Sequence, residues 1–141
     1  KRCPIRKMKV VLDCNIWISF LIGHQIAFVR RLLNDERFQV YACERLLEEI
    51  QDVCSRDKIK KYIRMEDVAD LLGIIYDYCQ FAIIGENTQS PIRDPKDLYL
   101  LSLAETIDAA YIVSGDKDLL ELQHHKQTKI IKLADFRNMM Q

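Results

Sequence analysis

The chain is poor in the residues that break regular structure and carries no excess of either charge. Its 141 residues include only 4 Gly and 3 Pro, and 21 basic residues are balanced by 21 acidic ones. The scarcity of Gly and Pro excludes collagen-like and low-complexity chains. The balanced charge means that composition neither favours nor excludes a nucleic-acid partner. With 49% hydrophobic residues, the sequence predicts one compact domain.

Long apolar runs and paired cysteines are also absent from the sequence. No run approaches the roughly 20 apolar residues of a membrane helix, so no membrane partner is expected. The five cysteines are odd in number and contain no Cys-x-x-Cys pair, which favours reduced thiols over disulfides or zinc ligands. These absences predict a cytoplasmic protein. We expect residues 8–141 to form a single domain and residues 1–7 to be an N-terminal extension or a remnant of cloning.

Short apolar runs alternate along the chain with segments of helical periodicity. Five runs are predicted as strands: 8–12, 38–42, 81–84, 111–113 and 129–133. Between them, apolar residues recur every three or four positions, which is typical of helices that bury one face. Strands separated by helices need crossover connections. The sequence therefore predicts an α/β fold, a three-layer α/β/α sandwich with a mainly parallel sheet of about five strands.

Aspartates follow two of the predicted strands. Asp13 comes directly after 8–12, and Asp116 comes three residues after 111–113. In a parallel sheet of this kind, ligands bind outside the carboxyl ends of the strands. Both carboxylates are therefore expected at the same edge of the sheet.

Helices that begin at that edge supply two further acidic candidates. Asp97 falls in the first turn of one predicted helix, and the pair Glu48 and Glu49 falls in another. Glu49 lies three residues after Leu46 and four before Val53, beside the buried stripe, whereas Glu48 is rotated away by about one hundred degrees. We therefore expect Glu49 to be the glutamate that reaches the site.

Several carboxylates in one cleft repel each other unless a cation neutralises them. A ligand set made only of oxygen atoms favours Mg²⁺ or Mn²⁺ over zinc, and magnesium so held usually also binds a phosphate. This points to phosphoryl or phosphodiester chemistry. A phosphatase that uses an Asp-x-Asp motif would need a second acid where the chain has Asn15. An amide cannot serve as a general acid, although Asn15 can still orient a water molecule or a phosphate.

Four segments, in this order, resemble the successive motifs of the PIN-domain family: 11–19 (VLDCNIWIS), 46–50 (LLEEI), 94–97 (DPKD) and 112–120 (IVSGDKDLL). The resemblance is closest to the ribonuclease toxin components of toxin–antitoxin pairs. It implies a parallel α/β/α sandwich and metal-dependent cleavage of RNA. It further implies an antitoxin protein as a partner, and related domains often form homodimers.

The resemblance also implies roles for individual residues. The catalytic and metal-binding acids would be Asp13, Glu49, Asp97 and Asp116, with Asn15 and Ser114 as polar helpers and Asp118 as an auxiliary acid. The chain departs from the usual motif at Cys14 and Ser114, where threonine is common, but both positions keep a small side chain. The implied reaction is in-line hydrolysis by a metal-activated water, which leaves 5′-phosphate and 3′-hydroxyl ends.

Two other functional classes fit the same residues. One is a PIN-like module that binds RNA or protein without turnover, and the other is a magnesium-dependent phosphatase. The basic run 56–64 holds five cations and one anion, so it is either a solvated helix face or an anchor for an RNA backbone. The pair His124 and His125 is interpreted as surface residues, because adjacent side chains on a helix diverge.

Overall fold

A computed structural model of the chain describes residues 7–85, 90 and 94–141, without the side chains of residues 95 and 96. The expected N-terminal extension, apart from Lys7, lies outside the described residues, as does Cys3. In chain order the elements are β1 (Met8–Leu12), α1 (Cys14–Ile22), α2 (Ile26–Asn34), β2 (Phe38–Ala42), α3 (Glu44–Cys54), α4 (Asp57–Lys60), α5 (Met65–Tyr78), β3 (Gln80–Phe81), α6 (Pro95–Ile107), β4 (Tyr111–Val113), α7 (Lys117–Leu122), β5 (His124–His125), β6 (Thr128–Ile131) and α8 (Leu133–Met140).

The strands form one sheet in the order β3-β2-β1-β4-β6-β5. All neighbouring pairs are parallel except β5 and β6, which are antiparallel. Since crossovers between parallel strands are right-handed, this strand order puts α1 to α5 on one face of the sheet and α6 and α7 on the other. The predicted α/β fold with a mainly parallel sheet is confirmed.

Strand β1 lies at the centre of the sheet and explains the continuous apolar run near the start of the chain. Val10, Val11 and Leu12 are completely buried, because helices cover the sheet on both sides. From α1, the aromatic side chains of Trp17 and Phe20 are also completely buried, with their rings in edge-to-face contact. Each such side chain contributes about 1.5–3 kcal/mol of burial free energy, so this core fixes the position of the residues that follow β1.

The strand predicted over 81–84 is shorter and begins earlier than the sequence indicated. Only Gln80 and Phe81 are assigned to β3, where they pair with Tyr41 and Ala42 of β2. In the part of the chain that the structure describes, β3 is an edge strand. An apolar run at an edge does not need to be paired along its whole length, which explains the difference.

The sheet has one strand more than predicted, because His124 and His125 form β5 rather than a helix. They pair with Lys129 and Thr128 of β6. The interpretation of both histidines as surface residues is wrong for His125, which is 7% exposed and makes a hydrogen bond of 3.1 Å with the Glu105 carboxylate. A two-residue strand has no periodicity that a sequence pattern could reveal.

Four cysteines, at positions 14, 43, 54 and 79, are buried free thiols. This agrees with the expectation of reduced cysteines for those that the structure describes. Across the described ranges, no helix combines the length and the apolar character that a membrane crossing requires.

Candidate active site

A cavity of about 190 Å³ opens at the edge of the sheet where β1 and β4 end. Leu12 of β1 and Val113 of β4 are partners in parallel register, so the residues after them leave the sheet side by side. The cavity is lined by Asp13, Cys14, Asn15, Glu49, Val53, Arg56, Asp94, Asp97 and Asp116. The fold thus brings the four acids singled out from the sequence around one space.

Asp13 lies at the base of the cavity and is only 5% exposed. Its Oδ2 accepts a hydrogen bond of 2.7 Å from the hydroxyl of Ser114, which is itself fully buried. The Ser114 Oγ in turn accepts a bond of 3.0 Å from the Asp116 N–H. Burial raises the pKa of Asp13 above its ordinary value, and the nearby charges of Glu49 and Asp116 raise it further, while the Ser114 bond opposes the change. Ser114 therefore orients the Asp13 carboxylate and links it by hydrogen bonds to the backbone of Asp116.

Glu49 reaches the cavity from α3, whereas its neighbour Glu48 is exposed. The hydroxyl of Tyr99 on α6 donates a hydrogen bond of 2.6 Å to Glu49 Oε1. Burial, followed by the bond to Glu49, raises the pKa of Tyr99 far above its ordinary value, so the phenol is a neutral donor. The Cys14 thiol is also held neutral, since burial and the charge of Glu49 raise its pKa. Glu49 is thus positioned by two neutral groups from other helices.

Asp97 lies in the first turn of α6, where its N–H donates to the Asp94 carbonyl at 3.0 Å. Burial is the largest cause, and together with the nearby charges of Asp116 and Asp13 it raises the pKa of Asp97 to about 6. A partly buried carboxyl surrounded by other carboxylates is expected to resist ionisation. The cavity therefore concentrates negative charge that a bound cation would relieve.

Asp116 is the N-cap of α7 as well as a lining residue. Its Oδ1 accepts hydrogen bonds from the backbone N–H groups of Asp118 at 2.8 Å and Leu119 at 3.2 Å. The side chain of Asp118 is exposed and is not among the residues that line the cavity. The structure therefore brings Asp116 to the cavity but does not bring the expected auxiliary acid with it. Asn15 is exposed and lines the cavity.

Sequence reasoning missed Tyr99 and the placement of Arg56. Tyr99 belongs to α6, most of whose central residues are buried, so helical periodicity does not show which side chain faces Glu49. The sequence pattern indicates Arg56 only as the start of a basic run. In the structure it lines the cavity, and its Nη2 lies 2.8 Å from Asp52 Oδ2.

The cavity offers oxygen donors of the kind that Mg²⁺ and Mn²⁺ prefer. Among the described residues, however, no group of three or more His, Cys, Asp or Glu side chains is arranged so that it could hold a metal ion. Magnesium in proteins is commonly bound by only one or two carboxylates, together with water and substrate phosphates. The donor chemistry therefore fits such an ion, but the structure does not show a preformed shell.

A larger groove of about 630 Å³ lies beside β3 and is lined mainly by apolar side chains, among them Leu47, Phe81 and Ile83. Arg45 lies on its wall and places its guanidinium carbon 5.6 Å from the centre of the Tyr99 ring. The groove holds none of the four acids, so we assign the chemistry to the smaller acidic cavity.

Fold and cavity together define an α/β domain with a cluster of acids at the carboxyl edge of a parallel sheet. The family model of the PIN domain matches residues 9–118, and the chain belongs to this family, whose fold is of the nuclease type. Over 131 residues it is 31% identical to the uncharacterized protein MJ1680 of Methanocaldococcus jannaschii, a match that covers 90% of this chain and 81% of that protein.

A solved structure shares the fold. The PIN domain of human SMG5 superposes with a TM-score of 0.51 at 14% identity, and the match covers 94% of this chain and 99% of that one. The resemblance seen in the sequence motifs is therefore confirmed for the family as a whole. Membership of the toxin subgroup stays a prediction.

Proposed function

We propose that this PIN domain is an endoribonuclease that depends on Mg²⁺ or Mn²⁺ and hydrolyses phosphodiester bonds in RNA. The observation that carries the proposal is the gathering of Asp13, Glu49, Asp97 and Asp116 around one cavity of about 190 Å³. The pKa of Asp97, raised to about 6 by burial and neighbouring carboxylates, supports a site in which a cation belongs.

The four acids would hold the ion directly or through water. When bound, Mg²⁺ or Mn²⁺ would supply a Lewis acid that lowers the pKa of water and stabilises negative charge on phosphate oxygens. Because the carboxylates are not arranged as a closed shell, part of the coordination would be left to water and to the substrate phosphate.

The chain's own residues prepare the cavity for this chemistry. The Ser114 hydroxyl fixes Asp13 Oδ2, and the Tyr99 hydroxyl fixes Glu49 Oε1. The exposed amide of Asn15, which lines the cavity, would hydrogen-bond a phosphate oxygen or orient an attacking water. In-line attack at phosphorus would then leave a 5′-phosphate on one product and a 3′-hydroxyl on the other.

The test is cleavage of a 5′-labelled single-stranded RNA in the presence of Mg²⁺ or Mn²⁺, with end-group analysis of the products. We expect Asp13→Asn to lower the rate by about a hundredfold or more, the scale of losing one strong charged interaction in a transition state. Glu49→Gln should also be strongly impaired, whereas its exposed neighbour Glu48→Gln serves as the matched control and should cleave normally. Full activity of Asp13→Asn with added Mn²⁺ would reject the proposal.

Two other outcomes point to the alternatives. RNA binding by the wild-type protein without cleavage under any divalent cation would favour a binding module. Hydrolysis of p-nitrophenyl phosphate without RNA cleavage would favour a phosphatase, although Asn15 at the position of the second acid argues against that reaction.

We also propose, from the sequence motifs, that the protein acts as the toxin of a toxin–antitoxin pair. It would act in the cytoplasm, bind an antitoxin protein and form a homodimer. Induced expression should then arrest growth, and Asp13→Asn should relieve the arrest. Unimpaired growth with soluble, active protein would remove the toxin role but not the nuclease.

A further inference from the structure

We infer that Arg56 binds a backbone phosphate of single-stranded RNA at the acidic cavity, in exchange for its ion pair with Asp52. The inference rests on the proposed nuclease function and names a substrate contact within it. Of the nine described residues that line the cavity, Arg56 is the one with a positively charged side chain.

The acidic wall creates a problem that Arg56 can solve. Carboxylates that can bind a cation also repel the phosphate that must approach it. A guanidinium group in the same wall offsets this repulsion, and its planar fork matches two phosphate oxygens. Arg56 is therefore placed where a substrate phosphate needs a partner.

The present partner of Arg56 is weakly held. In the described structure Arg56 Nη2 pairs with Asp52 Oδ2 at 2.8 Å, and the two side chains are 50% and 67% exposed. Ion pairs this exposed contribute little to stability. Asp52 is also absent from the residues that line the cavity. A phosphate can therefore replace Asp52 at little cost to the fold.

Three lysines follow Arg56 closely in the chain, and none of them is among the residues that line the cavity. The side chains of Lys58, Lys60 and Lys61 are all exposed on or just after α4. An RNA strand that leaves the cavity past Arg56 would therefore meet positive potential rather than the acidic wall.

The experiment measures the binding of a fluorescein-labelled single-stranded RNA 12-mer in EDTA by fluorescence anisotropy, over a series of salt concentrations. We expect Arg56→Gln to weaken binding about tenfold. The slope of log affinity against log salt should fall by about 0.7, the value for one phosphate contact on a single strand. Asp52→Asn, which frees Arg56, should strengthen binding by about twofold.

Arg64→Gln is the matched control. Arg64 forms a similar pair with Glu66 at 2.9 Å, with exposures of 66% and 76%, and it is not a lining residue of the cavity. The Arg64→Gln substitution removes the same charge from the same basic run. Its RNA affinity should therefore stay within about twofold of the wild-type value, and its salt slope within about 0.3. Thermal melting of both variants checks that the exposed substitutions leave the fold intact.

The outcomes separate the inference from the function on which it rests. Equal binding by Arg56→Gln and Arg64→Gln, or no RNA binding by the wild-type protein, would overturn the phosphate contact. If the wild-type protein cleaves RNA while Arg56→Gln behaves like the control, the nuclease stands and the contact fails. If binding depends on Arg56 but no divalent cation supports cleavage, the contact stands and the nuclease fails.

Discussion

Tyr99 and Glu49 are 50 residues apart in the chain, yet the Tyr99 hydroxyl donates a hydrogen bond of 2.6 Å to Glu49 Oε1. The bond joins α6 to α3 across the cavity. Because burial keeps the phenol neutral, it acts only as a donor and holds the carboxylate in one orientation. A residue outside the acidic cluster thus determines where one of its members points.

Tyr99→Phe should lower the RNA-cleavage rate about tenfold, because losing a hydrogen bond to a charged group costs about 1.5 kcal/mol. The ring remains, so the packing of α6 is preserved. Titration of the rate with Mn²⁺ should show a weaker apparent affinity for the ion. Tyr76→Phe is the control, since Tyr76 is exposed on the wall of the apolar groove. Equal rates for both variants would show that Tyr99 does not position Glu49.

Ser114→Ala should destabilise the protein by about 2 kcal/mol, because a buried carboxylate and a backbone N–H both lose their partner. The measurement is chemical denaturation in the absence of divalent ions. Ser19→Ala is the comparison: the Ser19 hydroxyl bonds the Ile16 carbonyl within α1, and its side chain is exposed. A smaller loss in Ser114→Ala than in Ser19→Ala would contradict the role given to Ser114.

Asp116 combines a structural and a chemical role, and two substitutions separate them. Asparagine is as good an N-cap as aspartate, so Asp116→Asn should keep the stability of the wild-type protein and lose cleavage activity. Asp116→Ala should lose activity and also about 1 kcal/mol of stability. The two variants are compared by thermal melting and by RNA cleavage. Normal cleavage by Asp116→Asn would remove Asp116 from the site.

The metal-free protein should lose stability as the pH rises from about 4 to 6. The folded-state pKa of Asp97 is raised from 3.8 to about 6, so the folded protein binds more protons than the unfolded chain in this window. Stability is therefore greatest below the unfolded pKa and falls as the carboxyl ionises. In Asp97→Asn, the fall in the free energy of unfolding between pH 4 and 6 should be smaller by about 1 kcal/mol. This value is reduced for solvent screening because the side chain is partly exposed.

Saturating Mn²⁺ should reverse this trend above pH 6, since a cation stabilises the ionised form of the cavity. The measurement is denaturant unfolding at a series of pH values with and without Mn²⁺. The same pH dependence between pH 4 and 6 in Asp97→Asn as in the wild-type protein, without metal, would contradict the raised pKa of Asp97.

The sequence predicts both the fold and the position of the acids at one edge of the sheet, because the ends of buried strands can be located in it. A buried parallel strand is a continuous apolar run, and its end is marked by the first polar residue. The end of β1 could therefore be located at Asp13, and sheet topology then placed Asp116 nearby. The choice of Glu49 over Glu48 followed from helical phase alone, and the structure puts Glu49 on the cavity wall.

The remaining features depend on tertiary contacts that no local pattern records. The hydrogen bond from Tyr99 to Glu49 depends on how α6 and α3 approach each other at the edge of the sheet. The turn between α3 and α4 carries Arg56 into the cavity wall. The resemblance to the PIN-domain family implies that Asp118 is an auxiliary acid of the site. The first turn of α7 instead directs it to solvent.

Metal binding by these distant carboxylates is the step on which the proposed nuclease depends. The most direct test is a crystal structure of the protein soaked in Mn²⁺, read by anomalous scattering. We expect an anomalous peak inside the cavity, with oxygen ligands from at least one of Asp13, Glu49, Asp97 and Asp116. The peak should be lost in crystals of Asp13→Asn. A fully occupied Mn²⁺ elsewhere on the domain, with the cavity empty, would contradict metal binding by these carboxylates.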